Sequence, residues 1–84
     1  MPRFLLNLLQ YDPVVLELLG ERSDLAECLL PVFADIAAGR RDLVKLYISE
    51  RIYSLDACGL RLWIAISPNR REAEITGYQW IRSS

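Results

Sequence analysis

The chain has 84 residues, which allows one domain, and a fold of this size hides only roughly 60 % of the surface its unfolded chain exposes. Apolar residues make up 52 % and the net charge is −1, so the chain is no polycation, and its aliphatic content exceeds what one small core readily covers. It has no histidine, which removes the commonest general base and the commonest transition-metal ligand together.

Phe4 to Leu9 reads as one or two helical turns with Leu5, Leu8 and Leu9 on one side. The run is broken by Asn7, Gln10 and Asp12, too short for a secretory leader core or a membrane span. Asp12-Pro13 opens the next helix, with the proline suited to its first position and the carboxylate able to accept from free helix N–H groups. That helix packs Val15, Leu18 and Leu19 and stops near Gly20.

Ser23 is the next N-cap. Leu25, Cys28, Leu29, Val32, Phe33 and Ile36 then recur at helical spacing, the clearest periodic signal in the chain, and Gly39 closes the helix. Pro31 falls inside the pattern and predicts a kink or a split near Glu27–Leu30.

After Asp42 the period changes to two. Val44, Leu46, Ile48 and Ile52 share one parity; Lys45, Tyr47, Ser49, Arg51 and Tyr53 share the other. We read a strand here, although Val44, Ile48, Ile52 and Leu55 also fit a helix over residues 42–55. Asp56 to Gly59 forms a hairpin loop. Leu60, Leu62, Ile64 and Ile66 then alternate with Arg61, Trp63, Ala65 and Ser67 in the strongest strand signal. Pro68 to Arg71 makes a second turn before a last strand from Ala73 to Ile81, in which Gly77 can mark a bulge that switches the faces of Tyr78 and Trp80.

Helices followed by strands predict an α+β fold in a single domain spanning residues 1–84: two or three N-terminal helices (residues 1–39) packed on a C-terminal three-stranded antiparallel β-meander (residues 40–84). The two halves differ in charge, −4 for residues 1–39 and +3 for residues 40–84, an asymmetry that marks either an anion-binding half or two halves that attract each other.

Catalytic groups are sparse. Cys28 and Cys58, thirty residues apart with no histidine, do not form a zinc motif; Cys28 is expected in the core and Cys58 in a turn, both as free thiols of a cytoplasmic protein. Glu72 and Glu74 share a parity, but beside Arg70 and Arg71 they read as a solvated edge. The glycines are scattered and form no phosphate-binding loop, and no cofactor or metal is implied.

The expected outer face of the sheet is the one constellation with a functional signature. It gathers Trp63, Tyr78, Trp80, Arg61, Arg51 and Tyr53, the residue types enriched in protein–protein hot spots. The same types can stack unpaired bases and meet phosphates, but an acidic chain with a pI near 5.3 favours a protein partner or a second copy over nucleic acid. The outer face could also be covered by the N-terminal segment, and an obligate homodimer with a structural role is a third reading. Two helices before an antiparallel sheet is also the element order of small ribonuclease toxins of toxin–antitoxin systems. Those have a strand ahead of the helices, which is not expected here, and they are usually basic. The size and the lack of catalytic groups suit a non-enzymatic inhibitor, immunity or adaptor protein of bacterial or phage origin.

Overall fold

Asp12 begins the helical layer as a side-chain cap. Its Oδ1 accepts from the Val14 N–H at 3.0 Å, and Pro13 fills the first position of α1 (Pro13–Glu21), where a missing N–H costs nothing. The computed structural model describes residues 3–46 and 51–81. A single residue, Arg22, joins α1 to α2 (Ser23–Ala37). Leu25, Leu29, Val32, Phe33 and Ile36 form the buried stripe of α2. Gly39 ends the helix with φ +73: its N–H donates to Ile36 O and the Arg40 N–H to Asp35 O, so two terminal carbonyls are satisfied.

Two expectations change in this layer. The helix is not split at Pro31, because Leu29, Val32, Phe33 and Ile36 enter one core on both sides of the missing backbone bond and hold the turn together. Cys28, expected in the core stripe, is exposed.

The sheet has five strands and mixed pairing rather than being a three-stranded meander. Residues Leu8–Tyr11 form β1, Val44–Lys45 β2, Ile52–Ala57 β3, Leu60–Ser67 β4 and Glu72–Trp80 β5, in the spatial order β1-β5-β4-β3-β2. The fold is therefore α+β, with its helices between the first and second strands.

The expected N-terminal helical turns are replaced by β1, which pairs parallel to β5 from Leu8↔Glu72 to Tyr11↔Ile75. Six residues are too few to hold a helix alone, whereas here Leu6 N–H reaches Ala37 O at 2.9 Å and Asn7 N–H reaches Arg71 O at 2.7 Å. Long-range backbone bonds thus outcompete local ones.

The strand expected over residues 42–55 is two antiparallel strands, β2 and β3, registered Val44↔Ser54 and Lys45↔Tyr53; the expected parity of Tyr47, Ile48 and Ser49 lies outside the described residues. The parity expected to face the core faces away from it. Tyr53 and Leu55 lie opposite Ile64 and Leu62, so they follow β4 inward, while Val44 and Ile52 point to the other side.

The turn from β3 to β4 contains only Cys58 and Gly59, with φ of +55 and +76, the positive values a tight two-residue hairpin requires. On the helix side of the sheet, Leu60, Leu62, Ile64, Ile66, Ala73 and Ile75 are buried against Val15, Leu18 and the α2 stripe. Tyr11 packs on Phe33 with ring centres 5.1 Å apart. Among the described residues, no helix is long and apolar enough to cross a membrane.

Candidate interaction face of the sheet

The face turned away from the helices is decided by a register shift between β4 and β5. Trp63 lies opposite Gly77, but Ile64 lies opposite Ile75, which leaves Thr76 as an extra residue on β5. Its hydroxyl donates to the Trp63 carbonyl at 3.2 Å and so ties down the bulge. Because one residue is inserted, every side chain after it changes sides. Ala73 and Ile75 point to the helices before the bulge, and Tyr78 and Trp80 point there after it, opposite Leu62 and Leu60.

The expected aromatic, arginine-bearing face is consequently dispersed. Trp63 and Arg61 remain on the outer side. Tyr78 and Trp80 lie on the helix side, with rings in edge contact at 6.2 Å and the Arg22 guanidinium 5.7 Å from the centre of the Trp80 ring. Trp80 is at the margin of that side and 52 % exposed. Tyr53 is also on the helix side, buried and in edge contact with Phe4 at 5.2 Å. Arg51 is at the far end of the sheet, beside Ser67 and Pro68, with its carbonyl accepting from Ile66 N–H.

What the outer face does contain is built around Trp63. Gly77 leaves room for the indole: a Cβ there would meet Trp63 Cδ1 at 3.6 Å. Ser54 lies opposite Trp63 on the other flank and is only 6 % exposed. Val44 and Leu46, with Ser54 and Trp63, line an open groove of about 450 Å³, and Val44 is 63 % exposed. No described helix covers this side.

One end of the groove is charged but internally balanced. Asp56 and Arg61 are cross-strand neighbours, and the guanidinium donates twice, Nε to Oδ1 at 2.9 Å and Nη2 to Oδ2 at 3.1 Å. The bidentate hydrogen bond and the adjacent charge hold the Asp56 carboxyl below its ordinary range and raise Arg61. Arg61 is thus already occupied by an acid of the same surface.

Val44, Leu46, Ser54 and Asp56 belong to this face although sequence reading did not select them. The missing signal was the chain reversal between β2 and β3: once it is known, Val44, Ser54, Trp63 and Gly77 fall in one row across four strands.

The cysteines also need correction. Cys28 of α2 and Cys58 of the β3–β4 turn form a disulfide across a separation of 30 residues, not two free thiols. The bond fastens the helical layer to one corner of the sheet, and with it goes the premise for a reducing cytosol.

Compared with known proteins, the chain matches no family model, no curated protein and no solved structure.

Proposed function

We propose that the protein is a small non-enzymatic interaction module that docks a protein partner on the outer face of its sheet, in the manner of an inhibitor, immunity or adaptor protein. The observation that carries this reading is the row Val44–Ser54–Trp63–Gly77, over which no described helix lies, and its groove. A half-buried tryptophan beside the exposed Val44 and the half-buried Leu46, with a charged pair at the margin, matches the anchor-and-rim anatomy of protein interfaces. A base-stacking role fits less well: Trp63 is the one aromatic ring on this side among the described residues, and Arg61 is engaged by Asp56. The strand β1 ahead of the helices removes one departure from the ribonuclease-toxin element order, but element order alone supplies no catalytic site. The Cys28–Cys58 bond favours a working compartment oxidising enough to preserve it, in place of the cytoplasm.

The test is affinity capture from the native cells with the wild-type protein, Trp63→Ala and Val44→Lys, followed by sedimentation of each. A partner recovered by the wild type and lost by both folded variants supports the reading. Equal recovery by all three removes the outer face as the interface. If the wild type is a dimer and both variants are monomers, the partner is a second copy.

A further inference from the structure

Beyond its groove, the outer face continues along β4 and β5 to a pair of carboxylates. Ala65 and Ser67 follow Trp63 on the same side of β4, and Glu74 and Glu72 lie opposite them. Since Ala73 and Ile75 point to the helices, both glutamates point outward. With Gln10 and Ser67 they line a depression of about 110 Å³. From Trp63 to the two glutamates is roughly 7–13 Å along the strand and about 5 Å across, so one modest contact covers both.

The face is short of positive charge. Arg61 is committed to Asp56 by two hydrogen bonds, and that pair is neutral. Among the described residues, Glu72 and Glu74 have no cation within salt-bridge distance; Arg70 and Arg71, in the turn just before them, pair with neither. The sequence between Leu46 and Arg51 is Tyr47-Ile48-Ser49-Glu50 and contains no Lys or Arg. The described charges on this side, Asp56, Glu72 and Glu74 against Arg61, therefore sum to 1 − 3 = −2.

A second observation points to a ligand in the groove itself. Ser54 is 6 % exposed and lines the groove between Val44 and Trp63, yet its hydroxyl has no hydrogen-bond partner among the described residues. Among those residues no side-chain oxygen sealed from solvent lacks a partner, so the Ser54 oxygen opens into the groove. A nearly buried hydroxyl with one open direction is a donor and acceptor held ready for an incoming group.

We infer that the outer face docks a cationic protein surface, which seats an aliphatic side chain beside Trp63 and places lysine or arginine over Glu72 and Glu74. This rests on the outer face being the docking face, and adds the chemistry of what docks. Ammonium or guanidinium groups supply the charge that the face lacks, and a backbone amide or carbonyl of the same segment meets the Ser54 hydroxyl. A second copy fits poorly. An isologous pair sets this face against itself, and among the described residues neither half brings an unpaired cation.

The experiment is an amide NMR titration of the whole protein with the blocked peptide acetyl-(Lys-Leu)3-amide, and with acetyl-(Glu-Leu)3-amide as its acidic counterpart. We expect saturable shifts at Val44, Ser54, Trp63, Glu72 and Glu74 with the cationic peptide and none with the acidic one. Combining Glu72→Gln with Glu74→Gln should weaken binding about fivefold, the loss of two exposed ion pairs, and flatten its salt dependence. Ser54→Ala should weaken binding about threefold and leave the urea midpoint unchanged, because the hydroxyl is not used within the fold. Combining Glu17→Gln with Glu21→Gln on α1 should change nothing. The inference is overturned by no saturable shift on the outer face, by shifts that follow Glu17, Glu21 and Glu27, or by equal binding of both peptides. A Ser54→Ala variant that loses stability, or a wild-type dimer broken by Trp63→Ala, overturns it as well. The reading of the face itself fails separately: capture lost in Trp63→Ala but intact in the Glu72→Gln, Glu74→Gln protein leaves the face an interface and its partner not cationic.

Discussion

Gly77 lies directly across the ladder from Trp63, and the indole occupies the space that a larger side chain at Gly77 would contest. Immediately beside this pair the register of β4 and β5 slips by one residue. The same few residues therefore create the groove on one side of the sheet and send Tyr78 and Trp80 to the other.

A single methyl at position 77 should be accommodated. The nearest atom to an added Cβ is Trp63 Cδ1 at 3.6 Å, an ordinary contact, and the backbone is not in the left-handed region. Gly77→Ala should leave stability unchanged or raise it by up to about 1 kcal/mol through a less flexible unfolded chain. Urea unfolding of the variant, with an unchanged dependence on denaturant, checks this.

Breaking the disulfide should cost far more. A bond closing a loop with separation 30 restricts the unfolded chain by about 3–4 kcal/mol, a large share of what a domain this small possesses. The oxidised protein should show no free thiol. Reduction, or the double change Cys28→Ser and Cys58→Ser, should lower the urea midpoint accordingly, and a midpoint insensitive to reductant would contradict the bond.

Arg71→Gly should relieve the positive φ. Removing that strain outweighs the extra freedom of glycine in the unfolded chain, so stability should rise by up to about 1 kcal/mol. Thermal unfolding reads the gain. A loss of stability would mean that the Arg71 side chain makes contacts within the fold that matter more than the strain.

Acid and alkali act through different groups. Asp24 is held down to about 2, first by its hydrogen bond from Arg22; Asp42 and Asp56 are lowered in the same way by Arg3 and Arg61. A carboxyl with a depressed folded pKa contributes stability that is present above its ordinary value near 4 and lost as pH falls toward 2. These groups are exposed, so the loss should be shallow and should shrink further in added salt. Tyr11 is raised by burial, which favours its neutral form; the unfolded chain ionises first, so stability should decline as pH climbs above 10. Urea midpoints measured across pH at two salt concentrations resolve both limbs.

The elements with strong internal pattern were legible from sequence. The α2 stripe and the alternation of β4 each repeat over many residues, and both bury the faces their periods require, Cys28 excepted. Asp12-Pro13 and Gly39 mark helix boundaries by backbone chemistry that needs no distant partner. β1 was not legible, because its hydrogen bonds come from Glu72–Ile75 and Arg71, more than sixty residues away. β2 and β3 merged into one reading because their shared apolar parity does not reveal a reversal. Of the candidate site, Trp63 and Arg61 were placed correctly on the outer side, since the parity of β4 is unbroken. Tyr78 and Trp80 were not, because one extra residue at Thr76 reverses everything after it. Tyr53 follows the face of β4, and no count within its own strand shows that.

The parallel pairing of β1 with β5 also sets an order of events during synthesis. A nascent chain offers Leu8–Tyr11 first, but its one strand neighbour among the described residues, Glu72–Ile75, is made more than sixty residues later. Until then the first strand has nothing to zip against, and the helices that follow it can cover only a sheet that does not yet exist. The sheet can therefore be completed only once β5 has been made, with a waiting apolar first strand that is exposed to aggregation or chaperone capture in the interval.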